Sequence, residues 1–227
     1  MIIMKIVILT EESKVKFPPI DTWHNRIGRG INIKNDQKFV ELLRENNLKV
    51  PSNDIELENE YRNILYNYIR PANLLFAGMF SEVRHFAEQL SKNYTVETFI
   101  LSGRYGLLKE TEPIIPYSFH IETLTDLDSL NKSTNFCDKM KLAAKNADYI
   151  ILLFPERFNK YLVQNKFFLE LSDKKLIIVC SNDIKKEITD FYNIIFLKRQ
   201  GVARIGEINR IKILDILKKN TTNDNFL

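Results

Sequence analysis

Cysteine, glycine and proline are all scarce: the 227 residues hold two Cys, seven Gly and seven Pro. Two thiols, Cys137 and Cys180, make neither a disulfide framework nor a Cys-rich zinc site. Reduced thiols are the default of the cytoplasm, which is the expected location. So few Gly and Pro leave no room for a low-complexity linker. Long hydrophobic runs are missing too. The longest, Tyr149-Ile-Ile-Leu-Leu-Phe-Pro155, falls far short of the ~20 residues that span a bilayer, so no membrane segment is expected. The opening Met1-Ile-Ile-Met-Lys-Ile-Val-Ile-Leu-Thr10 is not patterned as a signal peptide. A lysine interrupts its apolar run and Glu11-Glu12 follows directly. It reads as a first buried strand.

What remains is globular in composition, with 44% hydrophobic and 27% charged residues. That is too apolar for general disorder and enough for a real core. The net charge of +4 is unevenly placed. Residues 1–197 hold 26 basic and 26 acidic groups, whereas residues 198–227 hold seven basic and three acidic. The whole excess therefore sits in the last thirty residues, which names a place to look for an anionic partner.

Five further segments resemble the first strand: 73–78, 96–101, 149–154, 175–181 and 193–197. Each is a short run rich in Ile, Val, Leu and Phe, suited to a sheet covered on both faces. Ser81 to Leu90 places Val83, Phe86, Ala87 and Leu90 at helical spacing, and Asn135 to Ala147 is again helix-compatible. This alternation predicts an α/β fold, one domain over residues 1–219 with a mostly parallel central sheet flanked by helices. Residues 11–72 read as an insertion after the first strand, partly helical near Gln37 to Asn46 and Glu58 to Ile69. Residues 220–227 read as a disordered tail.

The most informative stretch is Phe99 to His120. A buried strand ends in Ser102-Gly103, followed by Arg104-Tyr105-Gly106. Ligands gather at the carboxyl ends of strands in open α/β sheets. Two glycines within four residues permit a tight turn and close backbone approach. Arg104 offers a planar fork for phosphate or carboxylate. Tyr105 and Tyr117 offer faces on which a base can stack. An ordinary glycine-containing strand corner with a surface arginine is the alternative.

Ser102-Gly103-Arg104-Tyr105-Gly106-Leu107-Leu108, followed by Pro116-Tyr117, resembles the signature of the YaaA-type peroxide-stress family. It is also similar to a Ser-Ala-Lys/Arg-Tyr-Gly-Leu signature of domains found near enzymes that exchange bases in nucleic acids. Lys198-Arg199-Gln200-Gly201-Val202-Ala203-Arg204, with Glu207-Ile208-Asn209-Arg210, is similar to a second block of the YaaA pattern, and Lys14 matches a lysine after its first strand. Residues 20–72 are unlike that family's corresponding region. The resemblance implies a nucleic-acid-binding, specifically DNA-binding, protein of stress response or DNA protection. It places Ser102, Gly103, Tyr105 and Gly106 beside Lys198, Arg199, Arg204 and Arg210 in a basic cleft.

Arg204 and Arg210 have a second reading, whereas Lys198 and Arg199, before the helix, read as ligand contacts. The helix expected after Gly201 carries Val202, Ile205, Ile208, Ile211, Ile213, Leu214, Ile216 and Leu217 on nearly every side. It is therefore expected to be largely buried, and arginines on it need partners, which internal carboxylates can supply. Lys218 and Lys219 suit a helix C-terminus. Three histidines, His24, His85 and His120, form no motif; His120, after Pro116-Tyr117, is either a candidate acid or base or a strand-edge histidine that only hydrogen-bonds. Glu110 and Glu112 flank the signature, and paired carboxylates can drive glycosidic chemistry. The polar loop Trp23-His24-Asn25-Arg26 with Gly28 and Gly30 either caps a cleft or simply turns the chain. Gly78-Met-Phe-Ser81 resembles a phosphate seat but has no Walker or Rossmann pattern. No metal site and no cofactor are expected.

Three functions follow as expectations. The first is nucleic-acid binding through Lys14, Gly103, Arg104, Gly106, Tyr117, Lys198, Arg199, Arg204 and Arg210. The second is an enzyme acting on a nucleotide or nucleobase N-glycosidic bond, with Ser102, Tyr105, Glu112 and His120 as catalytic candidates. The third is a non-catalytic subunit of a stress or defence complex, suggested by residues 11–72.

Overall fold

The computed structural model describes residues 4–17, 30–181, 184–188, 193–201 and 203–223, the last four of these for backbone only. The Trp23 to Gly28 loop, His24, Val202 and the end of the 220–227 tail lie outside the described residues. The chain is α/β, with one six-stranded sheet in the order β4-β3-β1-β6-β7-β8. Its strands are β1 Lys5–Glu11, β3 Thr95–Ser102, β4 Gly106–Lys109, β6 Tyr149–Leu153, β7 Lys175–Cys180 and β8 Ile194–Lys198. Five are parallel to their neighbours, and β4 closes one edge antiparallel to β3. A two-stranded ribbon joins β2 Arg70–Pro71 to β5 Pro113–Ile114.

The apolar runs become strands because helices cover both faces. Val7 and Leu9 point into one core with Ile150, Leu152, Leu176 and Ile178, closed by α5 Leu124–Thr134, α6 Phe136–Ala144, α7 Glu156–Gln164 and α8 Phe167–Glu170. Ile6 and Ile8 point the other way, against Val83, Phe86 and Leu90 of α4 Phe80–Leu90 and, later in the chain than the short α9 Lys185–Ile188, Ile213 and Leu217 of α10 Glu207–Asn223. The chain steps from β1 out to β3 and β4, then returns to β6 on the other side of β1. The loops after β1 and β6 therefore diverge, which opens a crevice at their carboxyl ends.

Three expectations need correction. Residues 73–78 are not a strand: Ala72–Leu75 is a helical turn, α3, and Phe76 makes only an isolated bridge to Lys16. An apolar run that short does not distinguish a turn of helix from a strand. Its side chains fill a satellite core with Phe80, Ile100, Leu108 and Tyr117. Nor is α10 buried all round, because Ile208 and Ile211 are exposed while Ile213 and Leu217 face the sheet. Helix α10 also continues to Asn223, into the expected tail.

The segment between β1 and β3 is partly helical as expected, with α1 Gln37–Glu45 and α2 Glu58–Ile64. Asp36 caps α1 by accepting the Phe39 N–H at 3.2 Å. Phe39, Leu43, Tyr61, Leu65 and Tyr68 form their own small core and meet the rest of the domain at Ile115 and Tyr105.

Candidate functional site

Strand β1 hands one carboxylate inward. Glu12 extends the parallel ladder by one bond, its N–H donating to the Leu101 carbonyl at 3.0 Å. Its side chain turns under the end of β3. There Oε1 accepts the Gly103 N–H at 3.0 Å and Oε2 accepts the Tyr117 phenol. Gly103 is needed for this approach. A Cβ at that position would lie 3.1 Å from Glu12 Oε1 and 2.8 Å from the Phe119 ring. Gly106 supplies the turn itself, with φ at +72°.

Tyr117 has one O–H to donate, and Glu12 accepts it. The 2.6 Å contact between Ser102 Oγ and the Tyr117 oxygen is then donated by Ser102. Ser102 Oγ in turn accepts the N–H groups of Arg104 and Tyr105 at 3.2 and 3.0 Å. Lys16 lies beneath, its Nζ donating to the Ser13 carbonyl at 2.6 Å and standing 4.7 Å over the Tyr117 ring. His120 Nδ1 stands 3.6 Å from Glu12 Oε1. That nitrogen is buried and has no hydrogen-bond partner among the described residues.

Burial governs the titration of this group. Desolvation lowers the Lys16 pKa, and the charge of Glu12 only partly opposes it. Burial, reinforced by the Glu12 carboxylate, holds the Tyr117 phenol well above its ordinary value, so it stays a donor. A carboxylate oriented by a phenol and a backbone N–H, with an amine and an imidazole beside it, is equipped for acid–base or nucleophilic work.

Arg104 does not face a ligand. Its side chain is fully buried and its fork is saturated by the insertion. Nη1 donates to Asp54 Oδ1 and the Ser52 carbonyl, both at 2.6 Å. Nη2 donates to the Asp54 carbonyl at 3.1 Å and to Glu58 Oε2 at 3.0 Å, and Nε donates to Glu58 at 3.2 Å. All five N–H groups are used, which removes Arg104 from the expected phosphate contacts. Tyr105 donates its phenol to the same Glu58 at 2.9 Å and packs edge-on against Tyr117. Burial opposes the charge on Arg104, yet its ion pairs with Asp54 and Glu58 hold its pKa above the ordinary value.

Arg204 is likewise engaged inside. Its Nη1 donates to Thr10 Oγ1 at 2.9 Å and to the Glu11 carbonyl, and Nη2 donates to the Glu12 carbonyl at 2.6 Å. It thus braces the main chain behind Glu12, and its role as a phosphate contact is corrected on that ground. Glu82 closes the same corner by accepting the N–H groups of Arg204 and Gly206 at 2.8 and 2.7 Å. The anion at the start of α10 is the protein's own carboxylate.

The remaining candidates are scattered. Lys198 and Arg199 sit at the end of β8, four strand spacings from β3, or about 19 Å. Arg199 Nε donates to the Ala203 carbonyl at 2.8 Å. Arg210 is 43% exposed and 4.0 Å from Glu207. Lys14 is exposed and paired with Glu122 at 2.7 Å. The expected single basic cleft is therefore not assembled. Glu112 lies past Lys109, which pairs with Phe99, so it is at least roughly 10 Å from Ser102 along β3. It accepts the Lys109 N–H at 2.8 Å, a turn role rather than a catalytic one.

Ser102, Gly103, Tyr117 and His120 thus converge, and the residues they converge on, Glu12 and Lys16, escaped the sequence reading. The only signal was a charged Glu12 and Lys16 hard against a buried strand. Among the described residues no three His, Cys, Asp or Glu side chains gather to hold a metal ion, and no helix is long and apolar enough to cross a membrane. Compared with known proteins, the chain matches no family model, no curated protein and no solved structure.

Proposed function

We propose that the protein is an enzyme acting on the N-glycosidic bond of a nucleoside or nucleotide. The observation that carries this reading is the buried Glu12 carboxylate at the end of the central strand, aimed by Tyr117 and Gly103 with His120 beside it. A carboxylate held in one orientation is the group that glycosidic chemistry requires.

In the proposed reaction a Glu12 oxygen attacks C1′ of the sugar. The new C–O bond forms as the C1′–N bond breaks, and its electron pair passes to the base nitrogen. Protonated His120 gives that nitrogen its proton. Neutral His120 then takes a proton from water, whose oxygen attacks C1′ and returns Glu12 as carboxylate. A second base in place of water makes the same enzyme a transferase. Tyr117, kept protonated by its surroundings, holds the carboxylate, and Ser102 holds Tyr117. Phe119 lies on Gly103 and His120 lies against Glu12, so the strap carrying them has to lift for substrate to enter.

A DNA-binding face needs cations turned outward along a groove. Here Arg104 and Arg204 bind internal carboxylates and carbonyls, which favours a pocket over such a face. The test is to incubate the protein with nucleosides, 5′-mononucleotides and single- and double-stranded DNA, and to separate the products by chromatography. Free base supports the enzyme. Retarded DNA with no base released from any substrate overturns it and returns the DNA-binding reading.

A further inference from the structure

The crevice between β1 and β6 holds a cleft that the Glu12 cluster does not use. It measures about 360 Å³ and is lined by Leu124, Pro155, Glu156, Arg157 and Lys160. Arg157 is its characteristic group. One nitrogen, Nη2, donates to both Glu11 Oε2 and the Ile121 carbonyl, each at a long 3.2 Å. Its Nε is buried with no hydrogen-bond partner among the described residues. The guanidinium is thus fixed in place over the Phe158 ring, at 4.9 Å, with part of its fork unengaged. It remains one-third exposed, at 34%. The cleft also contains a carboxylate, Glu156, but this is paired with Lys160 at 2.5 Å and accepts the Ser181 hydroxyl at 3.0 Å. Leu124 and Pro155 add an apolar wall.

The cleft and the Glu12 cluster share one segment. Arg157 holds the Ile121 carbonyl, and the preceding residue, His120, is the one that stands against Glu12. An anion bound by Arg157 therefore lies next to the segment that carries His120. A planar fork anchored at Nη2 suits a tetrahedral oxyanion that takes the donors of its exposed edge. We propose that this cleft is a phosphate subsite, and that the substrate is a 5′-mononucleotide rather than a nucleoside or a polymer. The inference rests on the glycosidic reading of the Glu12 cluster and names its substrate class.

The test is calorimetric titration of full-length protein with 5′-mononucleotides, the matching nucleosides and inorganic phosphate. The expected result is binding of mononucleotides at least tenfold tighter than nucleosides. Arg157→Ala should erase that tenfold difference. Leu124→Glu, which puts a negative charge at the exposed wall without touching Arg157, should do the same. Equal affinity for nucleotide and nucleoside in the wild type, or full nucleotide affinity in both variants, overturns the subsite. Glu12→Gln separates this from the reaction itself. If Glu12→Gln and the wild type bind nucleotide in an Arg157-dependent way but the wild type releases no base, the subsite stands and the glycosidic reading fails. If base is released from nucleosides as readily as from nucleotides, the reaction stands and the subsite fails.

Discussion

The Lys16 ammonium lies 3.8 Å from the Glu12 carboxylate, and both side chains are only 1% exposed. Burying two charges costs several kcal/mol per ion, which their attraction repays only in part. The pair is thus a poor device for stability, and a fold that keeps it gains something else. The double variant Glu12→Gln with Lys16→Met should fold at least as stably as the wild type. For ~1 kcal/mol of relief, a chain of this size gains about 2–4 °C in Tm by calorimetry. Lys16→Met alone should lower Tm, because it strips Glu12 of its cation. A double variant less stable than either single one means that the pair holds the fold together.

Arg104 is a clamp between the signature turn and the insertion. Removing one partner of a buried ion pair leaves the others uncompensated, at about 3–5 kcal/mol. Arg104→Ala should lose that much in urea unfolding. Arg104→Lys should recover little, because an ammonium cannot replace five donors aimed at Asp54, Glu58 and the Ser52 carbonyl. A loss below about 1 kcal/mol, the size of a surface pair, contradicts the clamp.

The same clamp sets a pH dependence. Burial raises the Asp54 pKa, but hydrogen bonds from the Ser52 backbone, Tyr61 and Arg104 outweigh it, and the folded value falls below the ordinary 3.8. An unfolded chain then binds more protons than the folded one in the window beneath that value. The stabilisation is fully present above the unfolded pKa and is lost as pH falls through the folded one. Acid unfolding of the wild type should therefore show a steeper loss below about pH 4 than Asp54→Asn. Superimposed profiles contradict the assignment.

The sheet was legible because its central strands β1, β6 and β7 are buried on both faces and appear as continuous apolar runs, while β3 and the edge strand β8 keep shorter ones. The Ser102 to Gly106 turn was legible from its glycines, and Gly103 and Gly106 do serve close approach and a left-handed turn. The partners were not legible. Arg104 looks the same in sequence whether it meets phosphate or Asp54, and Asp54 is fifty residues away. Glu12 is separated from Tyr117 by 105 positions, and nothing local announces their bond. The basic excess near the C-terminus was real as a count. It forms no cleft with the signature, because Arg204 is engaged on the main chain after β1 while Lys198 and Arg199 end β8, four strands from β3.

The most direct measurement is the rate of base release in single turnover, with protein in excess over a 5′-mononucleotide, for the wild type, Glu12→Asp and Glu12→Gln. The wild type should release free base. Glu12→Gln, nearly isosteric and still a partner for Tyr117, should be slower by at least about 10³-fold, with Glu12→Asp between them. Equal rates in wild type and Glu12→Gln, or no base released by the wild type from any nucleoside, nucleotide or DNA, contradict a catalytic role for Glu12.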